Sequence, residues 1–181
     1  MIEERRLRRE ILIPEGIEVE VGDMLTVKKG TVVVQKRLLS PTVTVLKQDH
    51  RIILQPERFT KNEKRIINTF RSHILNMIAG VQAPFQYKVK VCSSHFPMSV
   101  NIEGKTIVIK NFLGEKVPRQ AKILDNVDVR VEGDVITITS PDLEHAGQTA
   151  ANCERGTRIT NKDRRVFQDG LWIIEKGVRH G

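Results

Sequence analysis

Residues 127–139, with the sequence VDVRVEGDVITIT, contain the strongest structural signal in the chain. Valine and isoleucine alternate with polar residues on both sides of Gly133-Asp134, a pair that favours a tight turn. Because side chains of a strand point alternately to opposite faces, this spacing predicts an antiparallel hairpin with one buried face. The earlier half of the chain predicts a similar hairpin around Gln48-Asp49-His50.

These two hairpins belong to an internal repeat. Four segments recur in the same order at an offset of about 82 to 84 residues, namely residues 13–14 and 96–97, 25–28 and 107–110, 43–45 and 127–129, and 51–56 and 134–139. The period is too long for a solenoid and indicates duplication of a whole module. We therefore predict an α+β fold with two tandem copies of one module, each a small, mainly antiparallel sheet packed against a helix. The predicted modules span residues 1–82 and 83–181.

A helix is predicted after each β-rich stretch. In the first module, Thr60 and Glu63 form a capping-box pattern, and apolar residues follow at helical spacing up to Gly80, where we expect the helix to end. These apolar residues are Ile66, Ile67, Phe70, Ile74, Met77 and Ile78. We expect this stripe to cover the sheet of its own module, the alternative being a groove for a partner.

The second predicted helix begins at Pro141 and has a thin apolar stripe. The stripe consists of Leu143, Ala146, Ala150 and Cys153. Three small residues, Gly147, Ala150 and Ala151, are expected to let another backbone approach. Hydrogen-bonding side chains recur on one side, at Gln148, Asn152 and Arg155. The alternative is an ordinary solvated helix face.

The composition favours a polyanionic partner. The 181 residues include 30 Lys and Arg against 22 Asp and Glu, which gives a formal net charge of +8 and a pI of about 9.7. Nucleic acid fits this charge best, and an acidic membrane surface is the alternative. The apolar runs are far shorter than the roughly 20 residues that cross a bilayer, and the N-terminal residues lack a secretory signal. We therefore expect a cytoplasmic protein.

A basic segment follows the second helix. Its cations are Arg158, Lys162, Arg164 and Arg165, and they alternate with Thr157, Thr160 and Asn161. Such mixtures suit phosphate and ribose oxygens. Aromatic residues make up only 4% of the chain, and most of them fall in apolar patterns. We therefore expect a folded RNA that is recognised through its sugar-phosphate backbone and its shape more than through its bases.

The sequence predicts no catalytic or metal site. Cys92 and His95 are close together, but Cys92 continues a strand pattern and no third ligand has a suitable spacing. We interpret Cys92 and Cys153 as reduced structural thiols and expect no cofactor.

Several long motifs resemble one known family. They are FQYKVKV (residues 85–91), SHFPM (94–98), KNFLGEK (110–116) followed by Arg119, GQTAAN (147–152) and VFQDG (166–170). Together they resemble the large-subunit ribosomal protein six family, and its archaeal and eukaryotic branch fits best. The resemblance implies a structural protein without catalytic activity. It also implies that the second module binds large-subunit rRNA near the sarcin/ricin loop and the base of the acidic stalk, beside neighbouring ribosomal proteins and docking translation factors.

The resemblance carries over a set of RNA-contacting positions in the second module. They are Asn111, Gly114, Lys116, Arg119, Gln148, Asn152, Arg155, Arg158, Asn161, Lys162, Arg164, Arg165 and Gln168. The first module departs from the family, because KGTV at residues 29–32 replaces a frequent Gly-Pro-Lys-Gly turn. Contacts from that turn are therefore not carried over.

Two other functions are compatible with a basic surface. A free-standing RNA-binding regulator would use the same residues, but it would also bind isolated RNAs of unrelated fold. An RNA-processing enzyme would need a cluster of carboxylates or histidines on the basic face. Its candidate residues, Glu115, Asp163 and Asp169, have no recognisable catalytic spacing.

Overall fold

A computed structural model describes residues 8–179. The chain divides between Ala83 and Pro84 into two compact units. We call residues 8–83 the N-terminal unit and residues 84–179 the C-terminal unit. The N-terminal residues that argued against a secretory signal lie outside the described range.

The N-terminal unit contains six strands followed by one helix. They are β1 (Arg9–Leu12), β2 (Glu18–Val21), β3 (Leu25–Lys29), β4 (Val32–Lys36), β5 (Val43–Gln48), β6 (Arg51–Pro56) and α1 (Lys61–Gln82). The strands form two antiparallel sheets with the orders β1-β6-β5 and β2-β3-β4. Helix α1 buries Ile67, Phe70, Ile74 and Met77 in one core with residues of both sheets. The predicted apolar stripe therefore covers its own unit.

The sequence predicted the start of α1 correctly and its end incorrectly. Thr60 is the N-cap, its side chain accepts a hydrogen bond from the backbone N–H of Asn62 (3.2 Å), and its hydroxyl donates to Glu63. The helix continues past Gly80 to Gln82, and the N–H of Ala83 donates to the carbonyl of Ala79 (2.9 Å). Gly80 is buried inside the helix, so it serves packing and not termination.

The C-terminal unit repeats this order and adds a strand. It contains β7 (Phe85–Cys92), β8 (Ser99–Glu103), β9 (Thr106–Lys110), a 3-10 turn (Phe112–Gly114), β10 (Arg119–Lys122), β11 (Asp128–Glu132), β12 (Val135–Ser140), α2 (Leu143–Gly156) and β13 (Gly170–Arg179). Its antiparallel sheets have the orders β10-β9-β8 and β11-β12-β7-β13. Helix α2 and residues of both sheets share one core.

The strand orders confirm the predicted α+β fold with a duplicated module. Each unit contains two small sheets, whereas we expected one. The hairpin pairings are equivalent, because Val45 pairs with Leu54 and Val129 pairs with Ile138. In this register residues 51–56 correspond to residues 135–140. The predicted match to residues 134–139 is therefore off by one residue, because Asp134 lies in the turn. The two isoleucines of β12, at every second position of the strand, face the core, as the two-residue period requires.

None of the helices within residues 8–179 is long and apolar enough to cross a membrane.

Candidate nucleic-acid interface

Helix α2 packs on its sheet through small residues. It begins after Asp142, whose side chain accepts a hydrogen bond from the N–H of Glu144 (2.8 Å), so Pro141 precedes the helix and is not part of its first turn. Ala146, Ala150 and Cys153 are completely buried. Burial raises the pKa of the Cys153 thiol to about 12, which makes it an unreactive core group.

The small residues of α2 serve the protein core more than an external partner. A Cβ atom on Gly147 would lie 3.0 Å from the hydroxyl oxygen of Tyr87, a residue of the adjacent strand β7. Ala150 is buried, whereas Gly147 and Ala151 are partly accessible. The expectation of close approach from outside is therefore wrong for the buried Ala150, and it stays a prediction for Gly147 and Ala151. A thin apolar stripe can bring a helix close to its own sheet, which accounts for the burial of Ala150 and for the closeness of Gly147 to Tyr87.

The polar side of α2 is organised by side-chain hydrogen bonds. Gln148 Nε2 donates to Asn152 Oδ1 (2.9 Å), and Asn152 Nδ2 donates to the carbonyl of Lys122 at the end of β10 (2.9 Å). Arg155 is exposed in the last turn. The predicted set Gln148, Asn152 and Arg155 therefore lies on one side of the helix. The amide of Asn152 positions the helix and its neighbour Gln148.

Arg119 connects the loop after β9 to the end of α2. Its Nε and Nη2 atoms donate to the carboxylate of Glu115 (2.7 and 2.6 Å), and Nη1 donates to the carbonyls of Gly156 and Arg158 (both 3.1 Å). The guanidinium also lies over the ring of Phe112, 4.3 Å from its centroid. Hydrogen bonds from Arg119 lower the pKa of the Glu115 carboxyl. Because four of the five guanidinium N–H groups are used here, Arg119 positions the surface more than it offers donors to a partner.

The loop after β9 has an unusual backbone that displays Lys116. Asn111, Leu113 and Gly114 have φ values of 60°, 48° and 78°, in the left-handed region. Asn111 Nδ2 donates to the carbonyl of Pro97 (2.9 Å), and the buried ring of Phe112 anchors the loop. The backbone of Gly114 lies against the ring of Phe96, which a Cβ atom would meet at 3.4 Å. The structure therefore fixes this loop while Lys116 is exposed.

The basic segment, defined here as residues 157–169, is held at both ends by buried polar groups. The hydroxyl of Thr157 accepts a hydrogen bond from the N–H of Leu171 (2.9 Å). Asp169, whose side chain is 1% exposed, accepts hydrogen bonds from the N–H groups of Ser94 (2.6 Å) and His95 (3.0 Å) and from His95 Nδ1 (2.6 Å). Burial acts to raise the pKa of the Asp169 carboxyl, but these hydrogen bonds outweigh it, so the pKa is lowered.

Ring contacts fix the middle of the basic segment. The imidazole of His95 stacks on Phe167 with ring centroids 4.8 Å apart, and Lys162 Nζ lies 4.4 Å from the centroid of Phe167. Asn161 adopts a left-handed conformation with φ of 58°. Arg165 pairs with Asp163 (2.8 Å), but its side chain is 90% exposed. The cations are therefore presented by an ordered surface and not by a floppy tail.

The structure brings the predicted site residues together around the end of α2. Arg119 links the loop of Asn111, Gly114 and Lys116 to the basic segment. The remaining cations and amides of the set are exposed or partly exposed, namely Gln148, Asn152, Arg155, Arg158, Asn161, Lys162, Arg164, Arg165 and Gln168. We call the predicted residues together the basic surface.

Sequence reasoning missed the groups that hold this surface in place. Asp169 was considered only as a catalytic carboxylate, and its partners Ser94 and His95 are about 75 residues away in sequence. Trp172 lies in the apolar run of residues 171–174, yet it is 36% exposed while the preceding Leu171 is 1% exposed. The two-residue period of strand β13 could have indicated this difference.

The carboxylates proposed for an RNA-processing enzyme do not form a common site. Glu115 pairs with Arg119, Asp163 pairs with Arg165, and Asp169 binds His95. Throughout residues 8–179, no three His, Cys, Asp or Glu side chains come together in an arrangement that could hold a metal ion.

These features define a class of small α+β proteins with a duplicated antiparallel module and a basic surface on one copy. The sequence model described as Ribosomal protein L6 matches residues 96–170. Two relatives named large ribosomal subunit protein uL6 come from archaea. The Methanococcus vannielii protein is 41% identical over 171 residues, 94% of each chain. The Halobacterium salinarum protein is 42% identical over 175 residues, 96% of this chain and 98% of the relative. The chain belongs to the ribosomal protein L6 family.

Proposed function

We propose that this protein is a structural component of the large ribosomal subunit and binds large-subunit rRNA through the basic surface of its C-terminal unit. Membership of the family supports the ribosomal role. The relatives match this chain over nearly their whole length, and they are named as large-subunit proteins. The anchored basic segment is the single observation that carries the choice of surface. The proposed location, near the sarcin/ricin loop and the translation-factor site, comes from the family resemblance.

The chemistry of the basic surface suits a sugar-phosphate backbone. Exposed Arg and Lys side chains neutralise phosphates, and amides such as Gln148 offer hydrogen bonds to ribose hydroxyls. The buried anchors Thr157 and Asp169 hold the segment in place before RNA arrives, so less conformational entropy is lost on binding. We propose a positioning role, and no catalytic role, for the protein in the ribosome.

A pair of matched variants tests this proposal in the full chain. The first variant replaces four cations of the basic segment by alanine, Arg158, Lys162, Arg164 and Arg165. The second replaces four exposed cations near helix α1 or on it, Arg58, Lys61, Arg65 and Arg71. Both variants lose the same charge, so a difference between them reports location and not net charge.

The readout is sedimentation with large subunits in cells that carry a tagged copy. We expect the unmodified protein and the α1 variant to remain with the large subunit after a high-salt wash, and the basic-segment variant to move to the light fractions. Equal incorporation of the two variants would contradict the proposed surface. Sedimentation of the unmodified protein with small, free RNAs would instead support a regulator that acts outside the ribosome.

A further inference from the structure

A groove in the C-terminal unit lies beside the basic segment. It has a volume of about 650 Å³ and is lined by Cys92, Ser94, Arg164, Arg165, Gln168 and Trp172. This volume lies within the range of about 300–1,000 Å³ that is typical of small-molecule sites. Cys92 ends strand β7 and Trp172 belongs to the neighbouring strand β13, so the regular sheet supplies the groove's apolar wall.

The groove combines an aromatic surface with positive charge. The indole of Trp172 is held in place because its Nε1 donates to the carbonyl of Gln168 (3.0 Å). The guanidinium carbon of Arg164 stands 5.8 Å from the centroid of the indole. Among the residues that the structure describes, no carboxylate pairs with Arg164, so its charge remains available to an anionic ligand.

The spacing between Arg164 and Trp172 is close to that needed for an inserted ring. Direct van der Waals contact would place the two groups about 3.5–4.0 Å apart, and a flat base between them needs about 7 Å. The observed 5.8 Å lies between these distances. A movement of about 1 Å by the flexible Arg164 side chain would therefore open a slot for one base. Such a base would stack on the indole and under the guanidinium.

We propose that this groove binds one unstacked base of an RNA strand, stacked on Trp172 and with its flanking phosphates near Arg164 and Arg165. The proposal rests on the proposed function, because it requires the RNA to lie on the basic surface. It goes further by assigning a base-binding role to Trp172, a residue outside the set of positions predicted to contact RNA. Charge complementarity favours RNA as the occupant over an apolar segment of a protein.

Two natural probes report on the groove without any labelling. Trp172 is the only tryptophan in the chain, so the intrinsic indole fluorescence comes from this site alone. The chain has two cysteines, of which Cys92 is partly exposed and Cys153 is fully buried with its pKa raised to about 12. Alkylation of the folded protein therefore modifies Cys92 selectively.

The experiment titrates the full chain at low salt with a single-stranded oligoadenylate and with a fully paired RNA hairpin of the same nucleotide count. Binding itself is measured by filter retention. At equal occupancy we expect the single strand to quench the Trp172 fluorescence and to slow N-ethylmaleimide alkylation of Cys92 roughly tenfold. The hairpin should bind without either effect, because its bases are already paired and stacked.

A pair of variants from the same strand tests the role of the indole. Trp172→Leu should weaken binding of the single strand about tenfold and leave binding of the hairpin unchanged, while Trp172→Phe should keep most of the affinity. Ile174→Ala is the matched control, since Ile174 is a 51% exposed apolar residue of β13 that does not line the groove. If a Trp172 variant fails to fold, fluorescence quenching and Cys92 alkylation of the unmodified protein still test the base site.

The outcomes separate this proposal from the proposed function. Binding of both RNAs without quenching or protection would overturn the base site and leave the rRNA-binding role intact. No binding of either RNA would overturn the base site, whereas the rRNA-binding role is decided separately by the sedimentation of the matched cation variants. Equal quenching by hairpin and single strand would contradict selection of an unstacked base. Protection of Cys92 that appears only in assembled large subunits and survives ribonuclease treatment would assign the groove to a neighbouring protein.

Discussion

The two units share one strand order but use their cations differently. Residues 1–83 contain 15 Lys and Arg against 10 Asp and Glu, and residues 84–181 contain 15 against 12, so the first half is the more positive. Exposed cations of the N-terminal unit such as Lys61, Lys64 and Arg65 lie on a regular helix. Cations of the C-terminal unit are displayed by a loop and a segment that buried groups hold in place. Net charge therefore indicates a polyanionic partner but does not locate the surface that binds it.

The helices of the two units differ in the size of the residues that they bury. Helix α1 buries Ile67, Phe70, Ile74 and Met77, whereas the positions that α2 buries are small. Small contact residues allow a helix to lie nearer its sheet, as the contact between Gly147 and Tyr87 indicates. The C-terminal unit also has strand β13, which brings the basic segment back to the sheet at Gly170. Duplication thus supplied the same scaffold twice, and the additions to the second copy created its surface.

The largest expected effect comes from separating the units. A fragment of residues 84–181 should bind the rRNA domain containing the sarcin/ricin loop within about threefold of the full chain. A fragment of residues 1–83 should bind it at least about 1,000-fold more weakly, because only non-specific phosphate contacts remain. Each unit has its own core, so we expect both fragments to fold.

Circular dichroism and gel filtration check the folding of both fragments before affinity is measured by filter binding. An unrelated hairpin RNA serves as the control, and both fragments should bind it weakly. If the fragment of residues 1–83 bound the rRNA domain as well as the full chain did, the difference between the units would have no functional meaning.

A second prediction concerns the buried faces of the two helices. Ile74→Ala in α1 should lower the free energy of unfolding by about 3–4 kcal/mol, because it leaves a cavity among large side chains. Ala150→Leu in α2 should lower it by about 1–3 kcal/mol for the opposite reason, since the added atoms have no space. Urea unfolding measures both, with Leu75→Ala and Ala151→Ser as accessible controls on the same helices. Tolerance of Ala150→Leu would contradict the close packing of α2.

The sequence predicted features that depend on local patterns. The hairpin of residues 127–139 and the capping box of Thr60 and Glu63 were identified because their signals lie within a few residues. The end of α1 was missed because a glycine at the end of an apolar pattern is typical of a helix stop. Gly80 is instead a buried residue inside the helix. The closeness of Gly147 to Tyr87 could not be predicted, because the two residues are 60 positions apart in the sequence. The anchoring of the basic segment was invisible for the same reason, since Asp169 binds groups near residue 95.

The third prediction tests this anchor. Asp169→Ala should lower the free energy of unfolding of the C-terminal unit by about 3 kcal/mol, because it leaves buried N–H groups of Ser94 and His95 without an acceptor. It should also release the basic segment and weaken rRNA binding. Asp163→Ala is the control within the same segment, and it should change unfolding little because its pair with Arg165 is exposed. Urea unfolding and filter binding measure the two effects.

The same anchor gives a pH dependence with a defined sign. The pKa of the Asp169 carboxyl is lowered in the folded protein. At pH values just below the ordinary 3.8, the unfolded chain therefore binds a proton at Asp169 that the folded chain does not. The stabilisation is therefore complete above this value and is lost as the pH falls through the folded pKa. The unmodified protein should lose more stability on acidification from about pH 5 than Asp169→Asn does. Parallel losses would show that Asp169 is not the titrating anchor.

The smallest effects are expected when single cations are replaced, and they test the difference between the two units residue by residue. Each phosphate contact that is lost should flatten the slope of log affinity against log salt by roughly 0.7–0.9, because fewer counterions are released on binding. Arg158→Ala and Arg164→Ala in the C-terminal unit should each flatten the slope by about this amount. Lys64→Ala and Arg71→Ala, which remove exposed charges from α1, should leave the slope unchanged.

Arg165→Ala should have a weaker effect than Arg164→Ala, since Asp163 already neutralises part of the charge of Arg165. The measurement is a salt titration of each full-length variant on the rRNA domain that contains the sarcin/ricin loop. Equal slopes for the variants of both units would mean that binding depends on net charge alone, and the ordered presentation of the basic segment would then have no role in it.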